Sequence, residues 1–143
     1  MDAVISNDEK RILRFLTMTA LDFVPPLDSR VDLVAYSRKL SRAAINLFYR
    51  VESVDAGHAA VYANQVESGV AFLSSIAVDR RFRGSGIARA LLEQVIATCR
   101  ERGFRTLELE VGHLNSSAIH LYQALGFRTL EGSGEIRRME LAL

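Results

Sequence analysis

The sequence predicts an α/β fold: a mixed central sheet with flanking helices. Three observations predict it. Apolar runs separated by tight turns between residues 44 and 78 read as an antiparallel meander. A buried-strand run from Val70 to Val78, an amphipathic helix from Ile87 to Cys99 and another strand from Thr106 to Val111 form a strand–helix–strand crossover, which makes those two strands parallel. The residues after Gly126 read as a closing hairpin around Gly132-Ser133-Gly134.

Taken in order, the elements follow from local chemistry. Only Val4-Ile5 is available for an opening strand, so that strand is short or missing. Asn7 is placed to cap a first helix whose face is Ile12, Phe15, Leu16 and Thr19. The stretch from Asp22 to Ser29, with Phe23, Pro25 and Pro26, breaks it, because two positions carry no N–H. Asp28 or Ser29 can cap a second helix with Leu33, Tyr36 and Leu40 on one side. Ala44 to Glu52 and His58 to Gln65 read as strands, with Asp55-Ala56-Gly57 turning between them, and Glu67-Ser68-Gly69 turns into the Val70 strand. Ala88, Leu91, Leu92, Val95 and Cys99 share one face of the next helix, and Gly103 stands where its C′ glycine belongs. Asn115 caps a last helix, with Ala118, Leu121, Tyr122 and Leu125 inward and Gly126 as its stop. Phe127 to Glu131 and Glu135 to Leu143 make the hairpin, whose last strand offers an edge to a partner subunit.

Composition bounds the function. The 143 residues suit one domain spanning 1–143, enough to bury a core. Eighteen Lys and Arg against 17 Asp and Glu leave a net charge of +1, so no global field favours nucleic acid or a membrane surface. No apolar run is long enough to span a bilayer, and charged residues 8–14 leave no signal-peptide core. Cys99 is the single cysteine, on an apolar helix face, which fits a small buried hydrophobe in a reducing compartment and points to the cytoplasm. His58, His113 and His120 are scattered and read as ordinary surface or packing residues, so no metal site is expected.

The local feature that stands out is Arg83-Gly84-Ser85-Gly86-Ile87-Ala88, between the buried strand and the amphipathic helix. Two glycines let the backbone approach a ligand, and the first helical turn aims free N–H groups and the positive end of its dipole at it. That arrangement suits a phosphate or pyrophosphate, and Arg80, Arg81, Arg83 and Arg89 add charge for its oxygens.

Together with Ile76-Ala77-Val78-Asp79, Leu109-Glu110-Val111 and the run from Asn115 through Ala118-Ile119, Leu121-Tyr122 and Leu125-Gly126-Phe127, this loop resembles the GCN5-related N-acetyltransferases over roughly residues 44 to 130. The family's phosphate motif, Gln/Arg-x-x-Gly-x-Gly/Ala, is met by Arg83-x-x-Gly86-x-Ala88 and also by Arg81-x-x-Gly84-x-Gly86. Phe82 before and Ile87 after favour the Arg83 register. The resemblance implies an acyltransferase of this fold that uses acetyl-CoA, with no metal. The pyrophosphate would lie on residues 84 to 89 (Gly84, Ser85, Gly86, Ile87, Ala88 and Arg89) beside Arg83. The pantetheine arm would pair with a splayed strand at Ile76, Ala77 and Val78, where a backbone N–H can polarise the acetyl carbonyl. Asn115 would contact the cofactor, and Tyr122 would protonate the departing thiolate. Glu110 matches the general base of the bacterial enzymes that acetylate the N-terminal alanine of a ribosomal protein. Glu108 is its rival, and a water chain from Ser74 or Ser75 could also serve. His113 lies close enough in sequence to touch the acceptor.

The departures from those relatives fall on the acceptor side. Gly112 stands where they carry arginine, Phe23-Val24-Pro25-Pro26 replaces their acceptor-shaping segment, and the C-terminal hairpin lacks their tyrosine-bearing, peptide-holding loop. Acetyl transfer to a primary amine of a small molecule, such as an amino sugar or amino acid derivative, is therefore expected ahead of a protein N-terminus, in a monomer or homodimer. A catalytically silent acetyl-CoA sensor is the non-enzyme alternative. A dinucleotide-binding loop is disfavoured by Arg89 at its third glycine position and by the preceding meander. A Walker A loop is excluded by the missing Gly-Lys-Ser/Thr.

Overall fold

The structure, a computed structural model, describes residues 3–143. Seven strands form one sheet in the order β1-β2-β3-β4-β5-β7-β6. They are β1 (Ala3–Ile5), β2 (Ile45–Val51), β3 (Val54–Tyr62), β4 (Val70–Val78), β5 (Thr106–Gly112), β6 (Arg128–Thr129) and β7 (Ile136–Ala142). Four α-helices flank it: α1 (Glu9–Thr19), α2 (Leu33–Ala43), α3 (Ile87–Glu101) and α4 (Ser116–Ala124). The β4–β5 pair is parallel and every other pair antiparallel, as expected from the meander, the crossover and the hairpin.

The alternation of apolar residues along the strands divides the interior into two layers. One lies under α1 and α2 and is built from Ile12, Phe15, Leu16, Leu40, Phe48 and Ala60. The other lies under α3 and α4 and holds Leu91, Leu92, Val95, Cys99, Leu107, Leu109, Ile119, Tyr122 and Phe127. Leu47 and Phe48 are neighbours in sequence and belong to opposite layers, which is the two-residue period of a strand buried on both faces. A polar pair crosses the first layer. The Asn46 amide donates to the carbonyls of Leu40 (2.9 Å) and Ala44 (3.3 Å), so its oxygen is left to accept from His58 Nε2 at 3.0 Å.

Several local expectations are corrected. The β2–β3 turn is Glu52-Ser53 rather than Asp55-Ala56-Gly57. Both turn residues have positive φ, 48° and 70°, as a two-residue hairpin turn requires, and Asp55 to Gly57 lie inside β3. Turn propensity pointed three residues too far because glutamate and serine are poor turn formers beside Asp-Ala-Gly. Asp8, not Asn7, caps α1 by accepting from the N–H groups of Lys10 and Arg11. Asp32, not Asp28 or Ser29, caps α2 by accepting from Ala35 at 3.0 Å, while 28 and 29 sit in a short 3-10 turn. The opening strand is present, three residues long, and pairs with β2. The last strand is no edge: β7 lies between β5 and β6, and the sheet edges are β1 and β6.

Two features shape the centre of the sheet. The parallel ladder joins Val70–Leu73 to Thr106–Leu109 and stops there. On its other side β4 stays paired to β3 through Val78, with a shift in register that leaves Ser74 as an extra residue between Leu73 and Ser75. Beyond Leu73 the two parallel strands therefore diverge. Among the described residues no helix is long and apolar enough to cross a membrane, and no cluster of His, Cys, Asp and Glu is placed to hold a metal ion.

Candidate active site

The divergence of β4 and β5 opens a cleft of about 600 Å³. One wall is the Ser74–Val78 segment, whose backbone has β3 on one side and no strand on the other. The opposite wall is Leu109 to Gly112 with Asn115, Ala118, Leu121 and Tyr122 of the α4 region, and residues 83 to 89 lie at one end.

That end is an anion cradle built by conformation. Gly84 and Gly86 have φ of +81° and +82°, which favours glycine, and a Cβ on either would meet nothing within 4 Å. Gly86 is the N-cap of α3 and supplies no side-chain cap. The first helical bond runs from the Ala90 N–H to the Gly86 carbonyl at 3.0 Å, which leaves the N–H groups of Ile87, Ala88 and Arg89 without a helical acceptor. Arg83 lines the cleft, with Nη2 at 3.0 Å from Asp22 Oδ2 and Nε at 3.4 Å from the Val78 carbonyl. Arg81 turns away and pairs with Asp79 at 2.7 Å, so the structure brings Arg83 and not Arg81 to the cleft. Ser85 is exposed and not among the residues lining the cleft, and its hydroxyl donates to the Phe82 carbonyl. Free N–H groups, open glycines, the two arginines Arg83 and Arg89 and an unpaired strand edge are the chemistry that a pyrophosphate followed by an amide-bearing arm requires, so the residues fit coenzyme A.

Tyr122 stands at the wall formed by α4. It is 6% exposed and packs on Phe127, with ring centroids 5.7 Å apart. Its hydroxyl has no hydrogen-bond partner among the described residues, and burial pushes it up to about 12. Such a group stays protonated at neutral pH and carries a proton it can donate. Asn115 caps α4 through a 3.4 Å bond from the Ala118 N–H and lines the same wall. On β5, Leu107, Leu109 and Val111 point into the α3–α4 layer, so Glu108 and Glu110 face the other side. Glu110 lines the cleft. Glu108 is opposite Phe72, where the ladder is still closed, and does not.

The histidines lie elsewhere. His113 bonds the Glu135 carbonyl through Nδ1 at 2.9 Å, His120 is exposed, and His58 is buried between Phe15 and Phe48, where burial drives it down to about 3. Cys99 is fully buried and its thiol is pushed up to about 11, which leaves it inert.

The sequence reading missed Asp22 and Arg30. Asp22 receives Arg80 at 2.7 Å as well as Arg83, and tethers the segment before the two prolines to the glycine loop. Two carboxylate oxygens facing two arginines 58 and 61 residues away leave no periodic signal. The expected role of the Phe23-Val24 segment does have a geometric counterpart: both residues line the cleft, and a Cβ on Gly112 would lie 3.3 Å from the Val24 carbonyl.

Comparison with known proteins agrees with this geometry. A model of the acetyltransferase (GNAT) family matches residues 19–127. The ribosomal protein bS18-alanine N-acetyltransferase of Escherichia coli strain K12 is 46% identical over 69 residues, 48% of this chain and 47% of that protein. The chain thus spans about half the length of the curated relatives it matches first. The crystal structure of the Escherichia coli ribosomal-protein-S18-alanine N-acetyltransferase superposes with a TM-score of 0.76 at 26% identity, covering 98% of this chain and 93% of that one. The GNAT domain of S. lividans PAT shares the fold with a TM-score of 0.81 at 19% identity, over 99% of this chain and 88% of that one. The chain belongs to the acetyltransferase (GNAT) family, whose members take acetyl-CoA as acetyl donor.

Proposed function

We propose that this chain is an acetyl-CoA-dependent N-acetyltransferase that moves an acetyl group directly to the primary amine of a small molecule, such as an amino sugar or amino acid derivative. The observation that carries the reading is the unpaired Ser74–Val78 edge beside the open first turn of α3. On this reading the N–H groups after Gly86, with Gly84 and Arg83, hold the pyrophosphate. Ile76, Ala77 and Val78 hold the pantetheine arm, and a backbone N–H of that segment polarises the carbonyl. Asn115 supports the same arm. Glu110 accepts the proton the amine must lose, and Tyr122 donates one to the departing thiolate. The bond formed is amine nitrogen to acetyl carbon and the bond broken is thioester carbon to sulfur, so the proton count balances without a metal.

A protein N-terminus is the second reading, favoured by the 46% identity to the bS18-alanine enzyme. The Val24 carbonyl, 3.3 Å from where a Gly112 Cβ would lie, crowds the cleft wall at Gly112 and so favours a compact acceptor. A silent sensor of acetyl-CoA would need neither Tyr122 nor Glu110. The buried lone cysteine suits a cytoplasmic protein, acting as monomer or homodimer.

CoA release from acetyl-CoA tests the reading, with wild type and Glu110→Gln assayed from pH 6 to 9.5 against amino acids, amino sugars, polyamines and peptides with free N-termini. Turnover with small amines is expected, and Glu110→Gln should shift the rising limb to higher pH, because bulk water must then take the proton. Turnover with peptides alone contradicts the small-molecule reading, and an unshifted limb removes Glu110 as the base.

A further inference from the structure

Charge inside the cleft is not evenly spoken for. Five charged residues line it: Asp22, Arg30, Arg83, Arg89 and Glu110. Asp22 is held by Arg80 and Arg83, and Arg89 lies 3.6 Å from Glu93. Arg83 and Arg89 belong to the phosphate end. Arg30 and Glu110 have no ion-pair partner within 4.0 Å among the described residues. Glu110 is exposed on the β5 wall, with Arg138 of β7 opposite it in register, and Arg30 is exposed on the connection between α1 and α2.

Arg30 is presented from a firm base. Its backbone N–H donates to the Leu27 carbonyl at 3.0 Å, that of Val31 donates to the same oxygen, and Leu27 is 4% exposed. Beneath the cleft lie further polar groups. The Tyr36 hydroxyl and Ser74 Oγ are 2.5 Å apart, and Ser75, which also lines the cleft and is 7% exposed, has a buried hydroxyl with no hydrogen-bond partner among the described residues. A buried hydroxyl with no partner is costly unless a ligand completes it.

A cation and an anion that line one cleft without a close ion-pair partner among the described residues complement a zwitterion. We infer that the acceptor is an amino-carboxylate, with the Arg30 guanidinium binding its carboxylate and so turning its amine toward Glu110. The inference rests on the proposed acetyl transfer and narrows its acceptor. Arginine suits the task because its planar fork meets a carboxylate with two parallel hydrogen bonds. The contact is the same before and during acetyl transfer, so it acts on KM more than on kcat. An amino sugar without a carboxylate, a polyamine and a peptide N-terminus all lack the partner that Arg30 offers.

The test compares the proteinogenic α-amino acids with their α-carboxamides as acceptors, in wild type, Arg30→Ala and Arg30→Lys, with free N-terminal peptides alongside. Wild type is expected to favour the best amino acid over its amide by about tenfold or more in kcat/KM. Arg30→Ala should erase that preference by raising KM for the carboxylate form, with kcat for the amide and CoA affinity unchanged. Arg30→Lys should restore part of it. A preference that survives in Arg30→Ala, or turnover of amides or peptides in place of amino acids, overturns the inference and leaves acetyl transfer standing. No turnover of any amine by protein that binds acetyl-CoA contradicts the underlying reading itself.

Discussion

Tyr122 shows how a residue's surroundings set its chemistry. A phenol on the inner face of a helix is ordinarily a core residue, yet this one borders the cleft with no protein partner for its hydroxyl among the described residues. Burial places it near 12, so it stays protonated across the usable pH range. Tyr122→Phe is expected to lower kcat about 100-fold or more with little change in CoA affinity by calorimetry. The wild-type rate should show no alkaline fall from this group up to about pH 10, one to two units below its raised value. His58 is a residue whose surroundings give it a structural part. The sequence offered a histidine on a strand, and its partner Asn46 could not be found from spacing because it comes from the next strand. Since burial lowers the folded value to about 3 against 6.5 unfolded, the unfolded chain binds the proton first as pH falls. Stability is full above about 6.5 and lost toward 3, by up to about 1.4 kcal/mol per pH unit within that window. Urea midpoints at pH 7 and pH 5 should show the fall, and His58→Gln should flatten it.

At the scale of elements, the loop between α1 and α2 is tied to the strand–helix junction it faces. Asp22 bonds Arg80 and Arg83, and the hydrogen bond from Arg80, with the nearby charge of Arg83, holds its carboxyl below the ordinary 3.8. Its pairs therefore persist at neutral pH and are lost only as pH falls through that lowered value. Asp22 then competes with a pyrophosphate for Arg83. Asp22→Asn is expected to tighten CoA binding by a few-fold at low salt, the gain shrinking as salt rises. Calorimetry at two ionic strengths would show it, and weaker binding in the variant would contradict the competition. The junction itself was readable in the sequence, because Gly84 and Gly86 are the residues that its positive φ values require. The tether was not, since long-range ion pairs follow no local rule. Gly112 lies between these cases: its lack of a side chain was visible, and the Val24 carbonyl 3.3 Å from its would-be Cβ explains it only in three dimensions.

Over the whole molecule, hydrophobic period carried most of the architecture. Val70–Val78 was readable to the residue because it is apolar on both faces, and α3 because its stripe is continuous, although it runs two residues beyond Cys99 to Glu101. The caps and the β2–β3 turn were missed by one to a few residues, where several polar side chains compete for the same role. The order β5-β7-β6 was missed because period tells which residues face inward but not which strand lies alongside. For the site, Arg83, Gly84, Gly86, Glu110, Asn115 and Tyr122 all border one cleft, whereas the Ser85 hydroxyl bonds the Phe82 carbonyl and Ser85 is not among the lining residues. On the proposed reading this cleft transfers an acetyl group from acetyl-CoA to an amine. The most direct measurement is the mass of amine acceptors after incubation with acetyl-CoA, with wild type beside Tyr122→Phe variant that binds CoA equally well. One acetyl group gained by a small amine is expected with wild type, and a rate cut by about 100-fold in the variant. No acetylated amine from protein that binds acetyl-CoA, or equal rates for both, would contradict that reading.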